Sequence, residues 1–258
     1  MSRFKKTSDL VSLEDFEQLY REREDPWALR SFDEKRVRGL ETVRMLEGRR
    51  FRLAVDLCCG EGSFTHRLSH FCSEVIGVDV SSTAIERARE KYSGCRFIVE
   101  DVLKVDLEQI GSPDLILALD SWYFFDADQK EELMKHLRRF SAGRTVWCLT
   151  SARINRPPDE DFWPGRDFET INDFATFTQR HLHIVLQRPV HLRFEPAWEI
   201  GLLARSLALG FRVIAKLAGY RRTLRLAQWL HRRRWARRAI EPLTIHYAIL
   251  GVAAEPAH

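Results

Sequence analysis

Four aspartates mark the first half of this chain, each at or just past the end of a short apolar run: Asp56 in AVDLCCGEGSF, Asp79 in VIGVDV, Asp101 in FIVEDV and Asp120 in DLILALDSWYFFD. The first stretch adds two adjacent cysteines, Cys58 and Cys59, and two glycines in G-x-G spacing, Gly60 and Gly62. A pyrophosphate cradle needs backbone N–H groups and a helix N-terminus without negative charge nearby, and Asp56 and Glu61 oppose one. The dinucleotide fingerprint G-x-G-x-x-G also fails, with Cys58 at the first glycine position and Thr65 at the third, and there is no G-K-[ST] of a P-loop. The cysteines have no second pair to complete a metal site. They read as small residues in a tight turn, neither of them a nucleophile, and no metal is expected.

Such residues need a frame. FRLAVDL, SEVIGVDV, CRFIVED, DLILALD and TVWCLT read as strands, separated by helical stretches such as SSTAIERAREKY and DADQKEELMKHLRRF. Strand and helix alternating at this spacing imply crossover connections and a doubly wound α/β sheet covered on both faces. Two helices precede it. The first has Ser12 and Asp15 at capping-box spacing and Leu13, Phe16, Leu19 and Tyr20 on one face; the second starts at Ser31 with Glu34 at the box position, runs through Val37, Leu40 and Val43, and stops at Gly48. Beyond Ser151, ARINRPPDEDFWPGRD is a loop, DFETINDFATFTQRH a helix, HLHIVLQ a strand with His181 and His183 on one face, and LTIHYAILGVAAE the closing strand. One domain is expected over 1–258, with lid helices at 1–50, a cofactor-binding core at 51–150 and a substrate-side region at 151–258.

Ligands of open α/β sheets bind at the carboxyl ends of the strands, where the four aspartates lie. A loop bearing acids suits a ligand cationic at one end, hydroxyl-rich in the middle and carrying adenine at the other, a description that S-adenosylmethionine meets. The chain closely resembles class I S-adenosylmethionine-dependent methyltransferases, whose first motif is matched by Asp56, Cys58, Gly60 and Gly62. The resemblance implies a Rossmann-like sheet of seven strands. It also implies that Asp79, with Val80 beside it, takes the ribose hydroxyls. Asp101 then takes the adenine amine and Val102 the ring through its N–H, while Leu119 and Asp120 meet the methionine moiety and the substrate. Cys58 replaces the usual first glycine, which requires that this position not need positive φ. Upstream, FEQLYREREDPWALRSFDEKRVRGLETVRML resembles the lid of the nodulation protein S type N-methyltransferases, which modify an amino sugar of a lipo-oligosaccharide. That likeness places Tyr20 and Trp27 over the cofactor.

Methyl transfer is an in-line displacement at carbon, so positioning dominates. A primary amine near the model lysine pKa of about 10.4 is mostly protonated at neutral pH and needs a proton acceptor. Asp120 is the candidate, with Tyr123 beside it; Trp122, Tyr123 and Phe124 offer faces to a sulfonium or an amine. His66 is a weaker candidate base, in a helix and expected to be solvated. The acceptor is expected to be an amine of a small molecule, sugar or glycolipid precursor, with a hydroxyl as the alternative.

Charge is uneven: residues 1–195 carry 30 Lys+Arg against 34 Asp+Glu, and 196–258 carry 11 against 3. All eleven basic residues fall between Arg205 and Arg238, inside a helical insertion at about 198–240, before the last strand. The segment could dock on the acidic body, bind an anionic substrate or RNA, or lie on an anionic membrane, with Leu207, Phe211, Ile214 and Leu217 on one helix face and Trp229 and Trp235 among arginines. Asp120-Ser-Trp-Tyr in place of an N-P-P-Y-type tetrapeptide speaks against methylation of nucleic-acid bases. Without a signal peptide or an uninterrupted apolar run of about 18 residues, the expected location is the cytoplasm, peripheral to a membrane if the basic segment docks there.

Overall fold

The strands expected from the apolar runs form one seven-stranded sheet in the computed structural model, which describes residues 12–27, 39–106, 110–139, 141, 144–152, 168, 171–192 and 202–253. They are β1 (Phe51–Leu57), β2 (Cys72–Asp79), β3 (Arg96–Val99), β4 (Leu115–Leu119), β5 (Val146–Ala152), β6 (Leu182–Leu192) and β7 (Thr244–Ala253). The order is β3-β2-β1-β4-β5-β7-β6. The first five strands pair in parallel, whereas β7 runs antiparallel to both β5 and β6.

Strands buried on both faces must be apolar at successive positions. FRLAVDL and LILAL meet that demand. Leu53, Val55, Leu57, Ile116 and Ala118 join one core cluster, while Ala54, Leu115 and Leu117 join another. The helices are α1 (Leu13–Glu22), α2 (Ser82–Lys91), α3 (Ala127–Arg139), α4 (Ile171–Gln179), α5 (Leu202–Ala218), α6 (Tyr220–His231) and α7 (Arg234–Ile240). The capping box of α1 is formed: Ser12 Oγ accepts from the Asp15 N–H at 3.2 Å, and Asp15 Oδ2 accepts from the Ser12 N–H at 2.9 Å.

Of the second expected helix, 39–43 is helical, runs into a 3-10 turn at Arg44–Leu46 and ends before Gly48 at φ 81°; its start at Ser31, Glu34 and Val37 lies outside the described residues. So does nearly all of the loop after Ala152. The segment after the glycine turn is a 3-10 helix, Thr65–His70, rather than an α-helix. His181 and His183 do not share an environment. His181 is buried before β6 with Nε2 2.9 Å from Glu131 Oε2, and His183 is exposed; no His/Cys/Asp/Glu group fit for a metal occurs among the described residues.

The insertion holds α5–α7, between β6 and β7, with its own core of Ala204, Ala208, Phe211, Leu224, Ala227, Ala236 and Ile240. Leu207 and Ile214 pack against that core, but Leu217 does not share their face: it is 83% exposed. Gly210 leaves α5 unbroken, whereas Gly219, at φ 86°, separates α5 from α6. No helix among the described residues is long and apolar enough to cross a membrane.

Candidate active site

Strand order reverses direction between β1 and β4, and there a cavity of about 620 Å³ opens at their carboxyl ends. Its walls include Asp56 near the end of β1, Cys58 and Gly60 from the turn after it, Leu119 from the end of β4, Asp120 and Tyr123 just beyond it, and Tyr20 and Trp27 from α1 and the segment that follows it. This volume lies within the roughly 300–1,000 Å³ typical of small-molecule sites.

The turn after β1 is held to β2. The Cys59 N–H donates to Val78 O at 3.0 Å and the Gly60 N–H to Asp79 Oδ2 at 2.8 Å. Cys58 adopts φ 56°, so the position does require the left-handed region, contrary to the expectation for a non-glycine residue there. The chain must reverse directly at the end of a buried strand, and a cysteine with one small Sγ is among the side chains that this conformation admits at modest cost. Burial pushes its thiol up, which keeps it neutral. Gly60 at φ 55° is demanded twice over, since a Cβ there would stand 2.6 Å from the Tyr20 hydroxyl. Thr65, in place of a third glycine, donates its hydroxyl to Asp56 Oδ2 at 2.7 Å. Asp56 is fully buried, and burial raises its pKa to about 7 against the lowering effect of that bond.

At the end of β4, Asp120 also sits in the left-handed region, at φ 53°. Thr150 fixes it. Its Oγ1 accepts from the Asp120 N–H and donates to Asp120 Oδ1, both at 2.9 Å. Tyr123 and Phe124 line the cavity, but Trp122 does not face it. Successive residues of the 3-10 turn Trp122–Phe124 point in different directions, and Trp122 points into the core, fully buried against Phe174 and Phe177. Contrary to expectation, Trp122 therefore offers no face to a ligand in this cavity. His66 is half-buried rather than solvated, lines the cavity and stacks on Tyr92 with centroids 4.2 Å apart; burial lowers its pKa.

α1 and the segment through Trp27 pack over this turn. Trp27 Nε1 donates to the Tyr20 hydroxyl at 2.8 Å, and both Phe16 and Trp27 pack on Phe124, at 4.7 and 5.6 Å. Glu17, which sequence reasoning passed over, latches the opposite side. Its carboxylate accepts from Ser81 Oγ at 2.6 Å, Thr83 Oγ1 at 2.7 Å, Ser82 Oγ at 3.1 Å and the Thr83 N–H at 3.3 Å. These bonds outweigh burial and bring Glu17 down to about 2. A second tie runs through Glu61, which accepts from the Asp25 N–H at 3.1 Å and from Arg87 and Lys91, each at 3.1 Å. Glu61 thus ties the segment after α1 to α2.

Asp79, Val80, Asp101 and Val102 do not line the cavity. Asp79 is buried beside it, accepting N–H bonds from Gly60 and Ser81. Asp101 accepts the Leu103 N–H at 3.0 Å and lies 3.4 Å from Lys104 Nζ, with Val102 buried in the core next to it. Gly62, at φ 70°, packs against Phe97, whose ring a Cβ would meet at 2.8 Å.

A seven-stranded sheet in the order 3-2-1-4-5-7-6, with strand 7 antiparallel and a cavity at its switch point, defines the class I methyltransferase fold. Residues 54–142 match the family described as "Methyltransferase domain". Nodulation protein S of Sinorhizobium fredii (strain NBRC 101917 / NGR234) is 28% identical over 126 residues, 46% of this chain and 57% of that protein. A putative methyltransferase of Dictyostelium discoideum is 30% identical over 122 residues, 47% of this chain and 46% of that protein. The chain thus spans about half the length of these curated relatives. Among solved structures, N-methyltransferase NodS from Bradyrhizobium japonicum WM9 in complex with S-adenosyl-L-homocysteine superposes with a TM-score of 0.62 at 17% identity, covering 97% of this chain and all of that one.

Proposed function

We propose that the chain binds S-adenosylmethionine in this cavity and methylates an amine of a small molecule, a sugar or a glycolipid precursor. The observation that carries the reading is one cavity, beneath α1, whose walls include four carboxylates, Asp25, Asp56, Glu61 and Asp120, against the guanidinium of Arg67, together with Trp27, Tyr123 and Phe124. Anionic and aromatic groups favour a cationic ligand and disfavour a phosphorylated one. The methyltransferase domain and the resemblance to nodulation protein S add support from a separate direction.

When bound, the cofactor supplies a methyl group on a positively charged sulfur. The chain supplies the rest. Asp56 complements the cationic methionine end, and the turn through Cys58, Gly60 and Gly62 lets backbone approach closely. Asp79 offers two acceptor oxygens to a pair of hydroxyls, while Val80, Asp101 and Val102 serve the adenosine end. α1 covers the Gly60–Asp79 side of this site through Tyr20 and through Glu17 on Ser81, so lid opening accompanies binding there. Leu119 gives an apolar wall. Asp120, oriented by Thr150, holds the acceptor ammonium and takes a proton from it, with Tyr123 bordering the same space. Tyr20 and Trp27 exclude water when the lid closes.

A screen of amine and hydroxyl acceptors with isotope-labelled S-adenosylmethionine tests the proposal. Transfer to amines and its loss in Asp120→Asn support it; transfer to hydroxyls alone would overturn the choice of nitrogen.

A further inference from the structure

α5 is apolar on two sides. Ala204, Ala208 and Phe211 fill the local core, yet Leu202, Leu209, Val213 and Leu217 are exposed, Leu202 at 81% and Leu217 at 83%. At about 100° per residue these four fall within about 80° of one another, a continuous stripe on the solvent side. Arg212 and Lys216, both exposed, border it on one flank and exposed Leu203 on the other. A helix apolar on both sides calls for cover on both.

The neighbouring helix supplies the charge. Exposed Trp229 on α6 lies amid exposed Arg222, Arg225, Arg232 and Arg233, with the Arg233 guanidinium 5.2 Å from the Trp229 ring centroid. Trp235 on α7 is 72% exposed. From Arg205 to Arg238 there are eleven basic residues and no acid. None of these helices contributes to the cavity wall described above.

From this surface we propose that α5–α7 seat the protein on an anionic bilayer, with the leucine stripe and the two tryptophans entering the headgroup boundary and the arginines pairing with lipid phosphates. An apolar stripe, exposed tryptophans and a run of eleven basic residues without an acid match such a surface. A second copy is a poor match, because it would bring two fields of one sign face to face. The inference is independent of methyl transfer, since the surface and the cavity share no residue.

The test is flotation of the full chain with phosphatidylcholine vesicles containing about 30% phosphatidylglycerol, and with pure phosphatidylcholine vesicles, at low and raised salt. Binding to the anionic vesicles, weak binding to the neutral ones and release by salt are expected. Both the Leu209→Glu, Val213→Glu pair and the Arg222→Glu, Arg225→Glu pair should bind at least about tenfold less well, with thermal midpoint and S-adenosylhomocysteine affinity unchanged. Absence of wild-type binding at low salt overturns the proposal. So does full binding by the Leu209, Val213 pair, which would make the surface a general polyanion patch of the kind that takes RNA. A dimer that this pair dissolves, without vesicle binding, would assign the stripe to a second copy instead.

Discussion

Replacing Glu17 with Gln should loosen the lid without unfolding the domain. The carboxylate receives four hydrogen bonds from Ser81, Ser82 and Thr83, and its pKa falls from 4.5 to about 2. Taken in full, such a shift corresponds to roughly 3 kcal/mol of preference for the closed, ionised latch. With the side chain 16% exposed and the hydroxyls able to rebind water on opening, roughly 1.5–2 kcal/mol is a fair net value. Gln keeps an acceptor oxygen but loses the charge, so the opening equilibrium of α1 should rise about 10- to 30-fold at neutral pH. Amide hydrogen exchange over Leu13–Glu22 reads this directly. Because the folded pKa is depressed, the latch is fully present above about 4.5 and is lost as pH falls toward 2. The difference between wild type and variant should therefore shrink across that window. Equal exchange of the two proteins at pH 7, or a gap undiminished at pH 3, would refute the latch.

Asp120→Asn should lower turnover far more than cofactor affinity, and Thr150→Val should do the same more mildly by releasing the Asp120 carboxylate; equal kcat in either variant across neutral pH returns that residue to a structural role. Trp27→Ala should impair both turnover and affinity, since it removes the bond to Tyr20 and the contact with Phe124. Cys58→Gly should be tolerated, whereas Cys58→Val, a β-branched residue forced to φ 56°, should cost about 2 kcal/mol in denaturant unfolding; equal midpoints for the two would argue against a left-handed turn. Asp56, raised to about 7, holds more protons folded than unfolded between about 4 and 7, so stability without ligand falls as pH rises through that window. A cationic ligand should expel the proton, giving a buffer-dependent binding enthalpy near pH 7 that Asp56→Asn abolishes.

The sheet was legible because a strand covered on both faces must be apolar at most successive positions, as in the LAV of β1 and all of LILAL. The strand-end aspartates were legible because a carboxylate stands out in such a run, although Asp56 and Asp79 are themselves buried. What escaped was set by direction and distance. Glu17 reads as one more acid on an amphipathic helix until the fold brings it to Ser81, 64 positions away; three consecutive hydroxyl residues at a helix start were the available hint. Composition does not encode that Cys58 turns left-handed, or that Trp122 turns inward while Tyr123 and Phe124 turn to the cavity. In α5 the apolar spacing fits one face, but the helix carries two apolar stripes, and Leu217 belongs to the exposed one.

Calorimetric titration of the full chain with S-adenosylhomocysteine decides whether the cavity is a cofactor site. Saturable binding to one site is expected, and Asp79→Ala, which removes the carboxylate proposed for the ribose hydroxyls, should weaken it by about 10- to 150-fold, or roughly 1.5–3 kcal/mol. No binding by the wild-type chain, or undiminished affinity in a folded Asp79→Ala variant, would contradict the assignment.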